Sequence, residues 1–159
     1  ISGWFKSSSA SNQRIVSKDD GTNRSYLVQL QSTGVVRGTI FQGGSGEHND
    51  SASGKNDGNW HHFVFTYEHG VGTKLYVDNG TPTVNSSATA VDNDPSIVTI
   101  GASGSGINPW NGNIDEVGFF DVVLTQEQVE SIYNATTAGK TGDLNALSTP
   151  PIAWYRMGD

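Results

Sequence analysis

Carboxylates, imidazoles and amides are the groups in this chain that could do chemistry, and their spacing decides which chemistry. Asp115 and Glu116 stand side by side in the run Asn113 to Phe120, NIDEVGFF. On a strand, neighbouring side chains point to opposite faces, whereas a retaining glycosidase needs two carboxyls about 5 Å apart on one face. The next carboxylate on the face of Asp115 is Asp121, too far along to serve. Glu127 and Glu130 fall in a helical pattern and read as its solvated side. His61 and His62 also diverge on a strand, with no Cys in the chain and no His nearer than His69 to complete a metal site. One imidazole is expected to bond inside the fold and one outside. Gly101-Ala102-Ser103-Gly104-Ser105 lacks the final Gly of a nucleophile elbow. No catalytic residue is assigned.

Binding chemistry has better material. Calcium takes six to eight oxygens, and loops of Asp, Asn and Gly supply them. Asp92-Asn93-Asp94 and Asp19-Asp20-Gly21 are such loops. A single Ca²⁺ at Asp92 and Asp94 is one reading, and a plain Asx turn is the other. Sugar binding needs an aromatic plate for pyranose C–H groups, flanked by amides and carboxylates for hydroxyls. Trp110 with Asn108, Asn111 and Asn113 offers that set in a Gly-rich stretch, and Glu47, His48, Asn49 and Asp50 form a second candidate rim.

The elements that must position these groups read almost entirely as strands. Trp60 to Tyr67, WHHFVFTY, is rich in aromatic and β-branched residues; His61, Phe63, Phe65 and Tyr67 share one face, and Trp60, His62, Val64 and Thr66 the other. Apolar bulk on both faces makes it central. Thr73 to Val77 is its antiparallel partner, and Asp78-Asn79-Gly80 reverses the chain. Further strands are expected at Ile1–Lys6, Gln13–Lys18, Arg24–Gln31, Val35–Phe41, Thr81–Val84, Ile97–Gly101, Asn113–Phe120 and Ile152–Met157, giving nine or ten. Pro82 places Thr81–Val84 at an edge. Gln42 to Asn59 loses its apolar residues and reads as one long loop. Thr125 with Gln128 makes a capping box, and Val129, Ile132 and Tyr133 recur at helical spacing, so a short helix ends near Gly139. Lys140 to Pro151 is linker-like. The fold class is all-β, an antiparallel β-sandwich or jelly roll with one short helix near the C-terminus.

Composition excludes several partners. The net charge of −7 opposes binding to nucleic acid or anionic membranes. No apolar run spans a bilayer, so membrane insertion is not expected. The absence of Cys removes disulfides and thiolate chemistry without fixing a compartment. The start at Ile1, inside a strand-like run, reads as an excerpt of a longer polypeptide. The N-x-S/T triplets, frequent in so Asn-rich a chain, are not read as glycosylation sites.

GNWHHFVFTY, KLYVDNG and NGNIDEVGFFDVVLTQEQVESIYN, in that order and spacing, resemble the laminin G-like modules of the concanavalin A-like lectin/glucanase superfamily. The likeness covers about Ile1 to Asn134, and ISGWFKSSS looks like a strand that lies some way into such a module. The resemblance implies a jelly roll, here residues 1–138 with its first strands possible outside the numbering, followed by 139–159 as a linker and a strand that leads to or completes a module. Relatives with glycosidase activity resemble one another in an E-x-D-x-x-E strand, from which this chain departs. Such modules often bind calcium at a sandwich rim, which adds Asp115 to Asp92 and Asp94 as metal candidates. Relatives also carry an aromatic just before N-G-x-I-D-E-V that packs the sandwich end, a second reading of Trp110. The function implied is a non-catalytic carbohydrate-binding or adhesion module of a large extracellular or virion-surface protein, as in marine bacteriophages, with a glycan or surface protein as partner and Ca²⁺ as a structural cofactor. The alternative is a structural module that self-associates with neighbouring copies, and a glycoside hydrolase stands third.

Overall fold

The computed structural model describes residues 1–135 and 143–157. Eleven strands lie among them: β1 (Ser2–Lys6), β2 (Gln13–Asp19), β3 (Arg24–Leu30), β4 (Val36–Gln42), β5 (Ser45–Asp50), β6 (Trp60–Glu68), β7 (Gly72–Val77), β8 (Thr83–Asn85), β9 (Val98–Ile100), β10 (Asn113–Phe119) and β11 (Ala153–Tyr155). They form a six-stranded sheet in the order β11-β10-β1-β6-β7-β8 and a five-stranded sheet in the order β5-β4-β3-β2-β9. Every pairing is antiparallel. The two sheets stack as a sandwich, as the alternating pattern requires when each strand buries one face.

Two cores result from the two-faced β6. Phe63 and Phe65 point between the sheets to meet Phe5, Ile15, Val28, Ile40 and their neighbours. Val64 points the other way, where Tyr76, Leu124, Val129, Ile132 and Leu144 form a second cluster. The helix α1 (Gln126–Ala135) therefore covers the outer face of the six-stranded sheet. Its capping box forms: the Thr125 amide donates to Gln128 Oε1 at 2.8 Å, and the Gln128 amide points back at Thr125 Oγ1. Gly38 lets the sheets close, since a Cβ there would stand 2.4 Å from the Phe65 ring. β8 lies at the edge, as Pro82 dictates.

Four expectations need correcting. Gln42–Asn59 is not one loop, because it contains β5. The strand was invisible to an apolar pattern because its inward residue is Asn49, a buried amide, where a strand usually carries a hydrocarbon. Asp115 and Glu116 do not alternate across a regular strand: Trp4 pairs with Asp115 and Ser2 with Gly118, so β10 carries a bulge, and Glu116 takes a φ of 53°. His62 is not hydrogen-bonded through its ring; both nitrogens are buried without partners while the ring packs against Trp4 and Tyr133. The stretch expected as a linker contains a 3-10 turn, Leu144–Ala146, whose Leu144 is buried in the second core. The expected helix end near Gly139 and the 138/139 boundary lie outside the described residues.

Candidate functional site

Of the two outer sheet faces, one is covered by α1 and the other carries polar side chains in register. Arg14 on β2 pairs with Gln29 on β3, Gln29 with Arg37 on β4, and Arg37 with Asp50 on β5. Directly paired residues share a face, and Val28 and Leu30 beside Gln29 point into the core, so this row points outward. Its members fix one another. Arg37 Nε and Nη2 donate to the two oxygens of Asp50, each at 2.6 Å, and this pair holds the Asp50 carboxyl below the usual range. Arg14 donates to Gln29 Oε1 through Nη1 and to Asp19 through Nη2 at 3.2 Å. Asp19, itself buried, is also 3.4 Å from Arg24 Nε, and the Arg24 guanidinium lies 5.4 Å from the centre of the Phe41 ring. Three of the four arginines of this acidic chain thus stand on one face. The next row is Thr99, Ser17, Leu27, Thr39 and the exposed His48.

A second cluster occupies the end of the sandwich where β6 begins. His61 Nδ1 is 2.8 Å from Asp78 Oδ2, and its Nε2 is 3.0 Å from Asp57 Oδ1. Lys55 Nζ donates to Asp78 Oδ2 at 2.9 Å, and the His62 amide donates to Asp78 Oδ1 at 3.0 Å. Burial pushes the Asp78 carboxyl up, but the hydrogen bonds from His61, Lys55 and the His62 amide outweigh it and leave it at about 2. The bond to Asp78 first, and the one to Asp57 after it, raise His61 above its ordinary value. Burial drives the neighbouring His62 down to about 3, so that ring is neutral. Every acceptor here is spent on a donor of the fold, so the cluster is a pin.

The sequence matches a laminin G model of the concanavalin A-like lectin/glucanases superfamily over residues 1–130. The chain belongs to that superfamily. No curated protein matches it in sequence. Among solved structures, it is similar to the CBM40 of Ruminococcus gnavus IT-sialidase bound to α2,3-sialyllactose, with a TM-score of 0.58 and 14% identity, covering 83% of this chain and 80% of that one. It is also similar to the binding domain of Paraclostridial Mosquitocidal Protein 1 (TM-score 0.59, 15% identity, 84% of this chain and 36% of that one). The receptor-binding domain of botulinum neurotoxin mosaic serotype C/D gives 0.56, 16%, 84% and 35%. The chain thus spans about a third of each toxin binding domain. At these identities the likeness concerns the fold.

The signatures of this laminin G-like chain now have physical explanations. W-H-H and Y-V-D-N-G meet in the Asp78 pin, with Asp78 and Asn79 both at positive φ, 53° and 55°. In N-G-N-I-D-E-V, Gly112 has a φ of 140° and passes so close to β1 that a Cβ would stand 2.0 Å from the Lys6 carbonyl oxygen. Asp115 Oδ1 accepts the amides of Glu116 (2.8 Å) and Met157 (3.1 Å), and Glu116 Oε2 accepts the Trp154 indole N–H at 2.6 Å. Through the bulge, both carboxylates therefore hold the β11 segment.

The residues singled out from sequence fall in separate places. Trp110 is half-buried, edge-on to Phe5 at 5.9 Å with its indole nitrogen enclosed, and so plugs the sandwich end. Asn108 and Asn111 lie beside it, the Asn108 carbonyl accepting from the Arg14 amide and the exposed Asn111 held through its main chain by Gln13 and Ser7. His48 and Asn49 are on β5, at the opposite edge of the five-stranded sheet from β9. Asn49 is closed to ligands: its amide donates to the Thr83 carbonyl and accepts from Thr73 Oγ1, tying the two sheets together. Asp92 accepts the amides of Gly43 and Gly44, at 2.9 and 2.8 Å, and Asp94 Oδ2 accepts the Arg24 amide at 2.8 Å. Asp115, on the other sheet, does not join them, and no three His, Asp or Glu side chains among the described residues gather as a metal-holding group. The outward arginine row was missed. Its signal lay in register, which no spacing within one strand displays.

Proposed function

We propose that this chain is a non-catalytic glycan-binding module of a larger extracellular or virion-surface protein, and that it holds its ligand on the outer face of the five-stranded sheet. The observation that carries this reading is the row Arg14–Gln29–Arg37–Asp50, four polar side chains in register across four strands and fixed by mutual hydrogen bonds. Sugar hydroxyls need donors and acceptors in set positions, and groups already ordered on strands lose little entropy on binding. Exposed His48 borders the row and adds an imidazole face. The likeness to a sialidase carbohydrate-binding module supports the same reading. Its non-catalytic character is supported by Asp115 and Glu116, whose oxygens hold the β11 segment.

A glycan array probed with this chain, with Arg37→Ala and with Trp110→Ala tests the proposal. Binding is expected for the unaltered chain and for Trp110→Ala, and at least tenfold weaker binding for Arg37→Ala. Loss in Trp110→Ala with retention in Arg37→Ala would move the site to the Gly-rich loop. Absence of binding by the unaltered chain would overturn the function itself.

A further inference from the structure

The side of the sandwich where β5 faces β8 is laced shut over part of its length and open beyond it. Asn49 reaches across to the Thr83 carbonyl and to Thr73, and the Asn85 amide reaches back to the His48 carbonyl at 3.1 Å. Past this lacing lies a pocket of about 200 Å³, bounded by Ser51, Ala52 and Lys55 on one side and by the β7–β8 hairpin on the other. Sites for drug-sized ligands run to roughly 300–1,000 Å³, so this space suits a single small ring. The pocket adjoins the arginine row. Asp50 ends that row on the outer face, and the Ser51 amide carries the pairing with β4 one residue further by donating to the Val36 carbonyl at 2.9 Å. Ser51 therefore points to the opposite face and into the pocket. Consecutive Cα atoms are about 3.8 Å apart, so only the width of the edge strand separates row from pocket.

The lining narrows the occupant. Leu75 and Val77 form an apolar floor continuous with the main core. The exposed hydroxyls of Thr81 and Thr83 stand at the rim and make no hydrogen bond to the described residues. Ser51 Oγ is spent between the Val36 amide and the Ala52 carbonyl. Lys55 Nζ gives one of its three N–H groups to Asp78, which leaves two. The Asp78 carboxylate at 2.9 Å also cancels the charge of the lysine, so an anion entering here would have to compete with it. A pure hydrocarbon would leave the two hydroxyls and the Lys55 N–H groups facing it without partners. An uncharged pyranose has the form that remains: one C–H face for the floor, and hydroxyls around its edge for the rim.

We propose that this side pocket holds the uncharged terminal pyranose of a glycan whose inner residues lie along Arg14–Gln29–Arg37–Asp50, so that the module recognises chain ends. The proposal rests on the row being the glycan site. The test is a saturation-transfer NMR titration with the methyl pyranosides of glucose, galactose, mannose and N-acetylglucosamine, and with methyl glucuronide as the charged comparison. Saturable binding of at least one neutral pyranoside is expected, equally in the unaltered chain and in Arg37→Ala. Ala52→Trp, which fills the mouth from an exposed position outside the strands, should weaken it about tenfold or more, and so should Thr81→Val combined with Thr83→Val, which keeps shape but removes both hydroxyls. Thermal melts check that these variants fold. Val84→Asp, on the opposite face of β8, should change nothing. On a glycan array, Ala52→Trp should lose the discrimination between glycans that differ only in their terminal residue. The two readings fail separately. Array binding that depends on Arg37, without any pyranoside binding, overturns the pocket and leaves the row. Pyranoside binding lost in Ala52→Trp, with array binding indifferent to Arg37→Ala, overturns the row, and with it the joint site. Equal pyranoside affinity in folded Ala52→Trp, or a preference for methyl glucuronide, would also overturn the proposal.

Discussion

The Asp78 carboxylate and the His61 imidazole, 17 residues apart in sequence, meet at 2.8 Å, and the same carboxylate takes the amide of His62. One side chain thus ties the start of β6 to the turn after β7. Asp78→Asn keeps the shape but not the charge, so it should lower stability by about 1–3 kcal/mol. The pH dependence follows from the two shifts. His61 is raised in the fold, so its contribution is full below its ordinary value of 6.5 and fades as pH climbs through the raised value. Asp78 is depressed to about 2, so its contribution is present above its ordinary 3.8 and is lost as pH falls through that lower value. Melting temperature measured from pH 2 to 9 should show both declines in the unaltered chain and a flatter profile in Asp78→Asn.

Glu116 should behave in the opposite sense to Asp78. Burial raises its carboxyl, the Trp154 N–H lowers it, and nearby Asp115 raises it again, leaving it above its ordinary 4.5. The folded state then holds its proton more tightly than the unfolded state, so stability falls as pH rises from 4.5 through the raised value. Glu116→Gln removes the charge yet keeps an acceptor for Trp154. It is expected to melt at or above the temperature of the unaltered chain at pH 7 and to lose that part of the pH dependence. A lower melting temperature at pH 7 than at pH 4.5 for the unaltered chain, absent in the variant, is the signature to look for.

Asp92 tests the calcium reading. Both of its oxygens accept amides of the Gly43-Gly44 turn, where φ is 58° and 79°, so Asp92→Ala should loosen the β4–β5 hairpin and cost about 1–2 kcal/mol. A cation at Asp92 and Asp94 would have to compete with those amides. The expected melting temperature is therefore the same in EDTA and in millimolar calcium. A calcium-dependent rise that disappears in Asp92→Ala would establish a cation there instead.

Gly112→Ala should be the costliest small change in the N-G-N-I-D-E-V signature. It combines a φ of 140° with a Cβ placed 2.0 Å from the Lys6 carbonyl, so β1 or β10 must shift. Overpacking and strain of this kind cost about 1–3 kcal/mol or more, readable in chemical denaturation. Gly43→Ala, where nothing stands within 4 Å of the added Cβ, should cost less and serves as the comparison.

The sequence by itself determined the strands that bury hydrocarbon. Alternation in WHHFVFTY fixed which side chains of β6 face each core, and Thr125 with Gln128 fixed where the helix starts, because both depend on neighbours within a few residues. It also placed the strand beside Pro82 at an edge. What tertiary structure alone decided was whatever depends on register between strands distant in sequence. β5 escaped notice because Asn49 takes its stability from Thr73 and Thr83 and not from burial of hydrocarbon. Asp115 and Glu116 came to hold a common segment only because a bulge opposite β1 interrupts the alternation. The row Arg14–Gln29–Arg37–Asp50 draws one residue from each of four strands, and its members become neighbours only when cross-strand hydrogen bonding sets them side by side.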